Sequence, residues 1–477
     1  MQQSKLYIIL SRFDKYEQNR IRKYIKSPYF NQSQAITAFF ELLITDINSK
    51  SKKSLTKEHY WKAAFPKEKY NDLRFRKLGS DLLQLIEGFL SQEVFEENKV
   101  QQITNLLDAI SKKKIEKLYN SSVKKAATIA DQQLFQNSDH YYDQYILEKC
   151  YYDIEQLEKN FSEKGNIEKI IENLDRFYLA EKIRLHTSVA SRLLLVSHEY
   201  KFLLIDEILL HLQKYNYDHV PPIAIYYQIY LTQTETDNEA HYHRLKELIH
   251  QYGMKFPRSE ASVIYLSALN YCVGKINQGN PVFLREYLNL YQELLQNELI
   301  FDEGKISPWN FNNVVLIALR LKEYQWTESF IKDYQDRLPT DSRENLVTYN
   351  LSRLYFYQKK YEKVQQLLRS VEYEDYLYNL AAKTMLSAVY YELDEIEALL
   401  SLLESFRTYL NRHKNIPERR RKYYLNYIKH VKSLTSIIPG EKDKIVRFKN
   451  ELNKTYEKQE ISESDYKWLL EKLEDLS

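Results

Sequence analysis

Leu351-Ser352-Arg353-Leu354-Tyr355-Phe356-Tyr357-Gln358-Lys359-Lys360-Tyr361 is the stretch that decides the fold. Leu351, Leu354, Gln358 and Tyr361 fall at helical spacing, and the same pattern occurs twice more. Val314, Ile317, Leu321 and Tyr324 precede it, and Leu386, Val389, Leu393 and Ile396 follow. The offsets between copies, read at their last positions, are 37 and 35 residues. Periods in this range mark helix–turn–helix units that stack because none can bury its apolar face alone.

Composition supports the same reading over the whole chain. Only 8 of 477 residues are Gly and 10 are Pro, about 2% each against usual values near 7% and 5%. All-β folds need these residues at their turns, and nucleotide-binding α/β folds need Gly-rich phosphate loops. Both classes are excluded, and the 44% hydrophobic content supplies a large core. The fold class is all-α, expected as a solenoid of stacked antiparallel helix pairs.

Tyr349-Asn350-Leu351-Ser352, Tyr355-Phe356, Gln358, Tyr361 and Leu368 resemble a tetratricopeptide repeat. In that family a small residue on the first helix admits the second helix closely, and Ser352 and Ser387 hold that place. Pro339 stands where the family ends its second helix. Val315 replaces the small residue in the preceding unit, and Val364 and Leu399 replace the second-helix alanine. Lys359 and Asp394 stand where the family carries its turn glycine. The resemblance covers residues 310–405 and implies a protein-binding scaffold. Leu351, Leu354, Tyr355, Tyr361 and Leu386 are expected inside. Upstream, Leu266, Leu269, Phe283, Leu284, Tyr287, Leu290, Tyr291 and Leu294 are expected in the core.

Residues 1–94 read as a separate, basic helical domain. They hold 17 Lys and Arg against 10 Asp and Glu. Four helices are expected: Asp14 to Lys26, one capped at Asn31, Thr56 to the residue before Pro66, and Asn71 to about Leu90. Residues 56–90 resemble a helix-turn-helix with a basic second helix, Leu73-Arg74-Phe75-Arg76-Lys77-Leu78. The remainder, 95–477, is expected to be the solenoid. It ends in basic helices and a cap over 406–477, where Ser462-Glu463-Ser464-Asp465 opens the last helix.

Two basic stripes are the candidate binding surface. On the first of those helices, Phe13, Tyr16, Ile21 and Tyr24 are expected inward, with Lys15, Arg22 and Lys26 outward. Beyond Pro417, Tyr424, Tyr427, Ile428, Val431 and Leu434 form an apolar stripe, and Arg419, Lys422, Lys429 and Lys432 lie opposite. The window 406–432 holds nine basic residues against the single acid Glu418. Such rows suit phosphates or an acidic partner, and solvation alone also satisfies them.

Catalytic chemistry leaves no motif. His243, Glu247 and His250, with His241 nearby, share a helix at i, i+4 and i+7, but lack the zinc-protease order and a further ligand. Cys150 and Cys272 lack an activating base and read as small core residues. Two cysteines make no disulfide framework and fit a cytoplasmic protein. Leu6-Tyr7-Ile8-Ile9-Leu10 is too short for a signal core or a membrane span. The 42 Tyr suit stacking or peptide grooves, although an A/T-rich codon bias yields the same excess. The expectation is a non-enzymatic, cofactor-free scaffold that docks another protein or peptide, acidic in character, away from membranes. A nucleic-acid-associated regulator is the alternative, and a helical enzyme built from scattered side chains is a third.

Overall fold

The computed structural model describes residues 3–49, 55–158, 165–193, 200–368 and 376–477. The chain forms two compact units, residues 1–186 with 199–223 and residues 187–198 with 224–477. Among the described residues both are helical, and the only strands are the short antiparallel pair β1 (Phe301–Asp302) and β2 (Lys305–Ile306). No helix among them is long and apolar enough to cross a membrane.

The first unit contains α1 (Lys5–Leu10), α2 (Lys15–Lys26), α3 (Gln34–Asn48), α4 (Lys57–Ala64), α5 (Asp72–Glu97), α6 (Lys99–Lys113), α7 (Tyr119–Asp131), α8 (Ser138–Glu158), most of α9 (Ile167–Leu193) and α10 (Ile205–Lys214). Capping residues set the starts. Asp14 and Glu17 form a reciprocal capping box at α2, and Asn71 accepts from the Arg74 N–H at α5. The α3 cap is Ser33, not Asn31. Asn31 instead holds the preceding turn, its amide donating to the Ile25 and Ser33 carbonyls while its own carbonyl receives the Ser33 N–H. The boundary read at 94/95 falls inside α5, which runs unbroken to Glu97. The core clusters themselves divide between Phe89 and Val100. Tyr16, expected inward, is 81% exposed, and Gln18 takes the buried place on that turn with its amide on the Phe13 carbonyl.

The second unit runs from α11 (Pro221–Thr234) through α12 (Glu239–Tyr252), α13 (Arg258–Asn277) and α14 (Val282–Gln296). It continues through α15 (Pro308–Arg320), α16 (Tyr324–Tyr334), α17 (Arg343–Tyr357), α18 (Tyr361–Leu368), α19 (Tyr376–Glu392) and α20 (Ile396–Arg412). It ends with α21 (Glu418–Thr435), α22 (Lys442–Glu457) and α23 (Glu463–Asp475). Neighbouring helices pack pair after pair, and α15 also touches α17, as α17 does α19. This is compatible with a helical repeat solenoid.

One backbone device recurs at the turns inside helix pairs, four of them in succession, with further instances at Lys114 and Gln459. Gly279, Lys322, Lys359 and Asp394 all have positive φ, at 89°, 61°, 58° and 57°. At each, the next N–H reaches back to a carbonyl five residues earlier: Asn280 to Lys275, Glu323 to Ala318, Lys360 to Tyr355 and Glu395 to Tyr390. These are Schellman turns, which satisfy carbonyls orphaned at a helix end and reverse the chain. Seven residues before each turn stand Cys272, Val315, Ser352 and Ser387, all fully buried. Five residues after the last three stand Thr327, Val364 and Leu399, again fully buried. The equivalent of Val364 in the α13–α14 pair is Leu284, which is half-buried. The α13–α14 pair thus shares its turn and the buried position before it with the three pairs that follow.

Most core expectations hold. Leu354 is fully buried, Leu386 is buried, and Leu351, Tyr355 and Tyr361 are half-buried. Leu269, Phe283, Tyr287, Leu290, Tyr291 and Leu294 are buried as well. Leu266 is not. It is 52% exposed, because α13 turns Ile264, Tyr265, Ala268 and Leu269 inward and leaves Leu266 on the opposite side.

Candidate functional site

The basic stripes land among acids. Arg22 and Lys26 both meet Glu41 of α3, at 3.0 and 2.8 Å, and together with their hydrogen bonds hold the Glu41 carboxyl below its usual range against burial. Lys15 is exposed beside them. On α21, Lys422 pairs with Glu460 at 2.6 Å and Lys429 with Glu451 at 3.3 Å, while Lys432 pairs with Glu404 of α20. Arg419 lies exposed at the first turn. Three of the four α21 residues thus meet acids, from α20, α22 and the turn that follows α22.

The start of α5 is treated likewise. Arg74 pairs with Glu68 and covers the Phe65 and Trp61 rings, and Arg76 pairs with Asp72 at 2.7 Å. No group of His, Cys, Asp and Glu suited to a metal occurs among the described residues. His250 reaches Glu293 at 3.0 Å, His241 reaches Glu235 at 2.9 Å, and Glu247 takes Arg244 at 2.8 Å. Burial pushes the thiols of Cys150 and Cys272 up to about 11 and about 12, so neither is poised as a nucleophile.

A different site emerges from the repeats. A cavity of about 370 Å³ lies along α15, α17, α19, α21 and the start of α23. Leu316, Phe356, Met385, Ala388 and Trp468 give it apolar walls, and Tyr423, Tyr424 and Tyr427 line its far side. Burial raises the Tyr424 phenol to about 12. The Tyr427 hydroxyl lies 3.1 Å from the Thr384 carbonyl and 2.9 Å from the Ser387 hydroxyl, tying α21 to α19.

Arg353 also lines this cavity and is only 9% exposed. Its guanidinium contacts neutral groups: the Asn312 carbonyl and the Asn350 amide oxygen, each at 3.4 Å, and the Tyr349 ring at 5.6 Å. No carboxylate pairs with it among the described residues. A polar chain fixes the surroundings, since Asn350 donates to Asn312 at 2.6 Å and Asn312 donates to the Tyr378 hydroxyl at 2.6 Å. The chain therefore joins α15, α17 and α19. In repeat register Arg353 corresponds to Val273 and Leu316, both 37% exposed. A charge thus replaces an apolar residue at one point of this row. Sequence reasoning passed over Arg353, although it is the sole charged residue between Glu344 and Lys359.

The helix α23 closes the cavity and is anchored firmly. Lys472, 8% exposed, reaches Glu392 at 3.0 Å, Asp475 at 3.2 Å and Glu471 at 3.3 Å. Burial works to lower the Lys472 pKa, but its hydrogen bonds to Glu392 and Asp475 outweigh it and hold the ammonium above its ordinary range. Trp468 donates its indole N–H to Glu392 at 3.1 Å and meets the Tyr391 ring edge-on.

No protein-family model, curated protein or solved structure matches this chain.

Proposed function

We propose that this chain is a non-enzymatic, cytoplasmic docking protein of tetratricopeptide-like architecture. In this reading, the cavity along its first helices receives a short segment of a partner protein. The carrying observation is Arg353, a nearly buried guanidinium with no carboxylate partner among the described residues, set in an apolar and aromatic groove. Burying a charge without a counter-charge is costly. A partner carboxylate supplies the missing half, and its charge-assisted hydrogen bonds contribute roughly 1.5–3 kcal/mol. Stacked helix pairs also form curved surfaces suited to extended segments. The nucleic-acid alternative draws less support, because Arg22, Lys26, Lys422, Lys429 and Lys432 already spend their charge on Glu41, Glu460, Glu451 and Glu404.

The test is a calorimetric titration of the full chain with short blocked peptides built on one apolar-aromatic sequence, with either Glu or Gln at one position. Binding of the Glu peptide at least about tenfold tighter supports the reading. Equal affinity for both, or salt-sensitive binding of single-stranded nucleic acid that weakens when Arg419, Lys422, Lys429 and Lys432 become Gln, contradicts it.

A further inference from the structure

The groove carries a second pole. Asp465, in the first turn of α23, lines the same cavity as Arg353. Its backbone N–H donates to the Ser462 hydroxyl at 2.9 Å, and no cation pairs with its carboxylate among the described residues. The two opposite charges do not pair with each other either.

The place of Asp465 at a helix start offers an ordinary explanation, since a carboxylate there is favoured by the helix dipole. That effect alone would hold the carboxyl low. Burial against the groove instead raises it to about 6, with the Ser462 hydroxyl opposing.

Ala381, Met385, Ala388, Phe356 and Trp468 line the same cavity as the two charges, with the tyrosines of α21. Its lining therefore offers an apolar side chain a place alongside a cation and an anion. The cavity volume falls in the usual range for ligands of drug-like size, about 300–1,000 Å³, which suits a few residues of chain rather than a folded domain. Opposite charges in a groove that excludes water attract more strongly than in bulk solvent, so two matched poles select both composition and direction.

We infer that the groove takes a dipolar peptide segment, with its Asp or Glu on Arg353, its Lys or Arg toward Asp465 and an apolar or aromatic residue between. This rests on the docking function proposed above and adds the cation and the polarity of the segment.

The test uses the full chain and blocked five-residue peptides with a common apolar centre. Their end residues are Glu and Lys, Lys and Glu, Glu and Gln, or Gln and Gln, and affinity is read by calorimetry. One of the two dipolar orders should bind about tenfold tighter than the Glu–Gln peptide. Asp465→Asn should abolish that gain over the Glu–Gln peptide, while Asp465→Glu should restore part of it. If Glu–Gln binds as tightly as both dipolar peptides, the dipolar inference falls, and docking on Arg353 stands through the difference from Gln–Gln. If Glu–Gln and Gln–Gln bind alike, docking itself fails and the inference with it. Should Asp465→Asn not fold, the comparison among peptides on the unaltered chain decides the matter alone.

Discussion

Ser387 and Tyr427, 40 residues apart in sequence, meet through their hydroxyls at 2.9 Å, both fully enclosed. The small side chain of Ser387 on α19 makes room for the ring of Tyr427 on α21. The Thr384 carbonyl lies 2.8 Å from the Ser387 hydroxyl and 3.1 Å from that of Tyr427, so it accepts from one of the two while the other donates to its neighbour. Tyr427→Phe should therefore lower the unfolding free energy by about 1 kcal/mol, the net worth of one buried hydrogen bond. Ser387→Val should cost more, about 1–3 kcal/mol, because the branch fills the space of the Tyr427 hydroxyl. Denaturant unfolding measures both, and equal costs would show that volume is not what Ser387 controls.

Lys322, Lys359 and Asp394 hold a left-handed backbone that Gly279 adopts at no steric cost in the pair before them. Changing any of the three to Gly should stabilise the protein by about 0.5–1 kcal/mol, relief of strain being partly offset by a more flexible unfolded chain. Thermal unfolding reads the effect. A loss of stability at all three would mean that their side chains, not their φ angles, keep these turns.

The repeat register makes opposite forecasts for two leucines. Leu354 is fully enclosed, so Leu354→Ala should cost about 2–5 kcal/mol. Leu266 is 52% exposed, so Leu266→Ala should change stability by only about 0.5 kcal/mol. Similar losses at both positions would shift the helix faces from those described.

The contribution of Asp465 to stability should fall as pH rises from about 4 to about 6. The Asp465 carboxyl is raised from 3.8 to about 6, so in that window the native chain keeps a proton that the unfolded chain releases. Asp465→Asn should match the original chain below pH 4 and exceed it above pH 6, by roughly 1–2 kcal/mol because the carboxyl is only half-buried. Asp143, pushed up to about 6 by burial with the Gln133 amide opposing, leaves a residual slope in the variant. Identical pH profiles for the two proteins would remove Asp465 from the account.

Several helix starts were legible because caps and apolar spacing are local, although α1 was not among the expected helices and the α3 cap fell on Ser33. Asp14, Thr56, Asn71 and Ser462 each stand just before the helix they were read to open. Positions at the edge of a stripe were not, since spacing leaves the stripe's margins open, as Tyr16 and Leu266 show. The α13–α14 pair escaped because Cys272 and Gly279 share backbone geometry with later units rather than side-chain type. The ion pairs of the basic stripes were out of reach for another reason. Their acid partners Glu404, Glu451 and Glu460 come from neighbouring segments that only tertiary packing brings near. Arg353 was hidden because a charged residue in a helical pattern reads as surface.

Arg353→Met, measured for stability and peptide affinity on the same preparation, tests the docking account most directly. Methionine keeps much of the side-chain length and removes the buried charge, a change that is often neutral or stabilising when no ion pair is broken. The account predicts an unfolding free energy that stays level or rises, together with a loss of at least about tenfold in affinity for the Glu peptide. A fall in stability of about 3 kcal/mol or more, or an affinity that does not change, would make Arg353 a structural residue and contradict the claim that its charge awaits a partner.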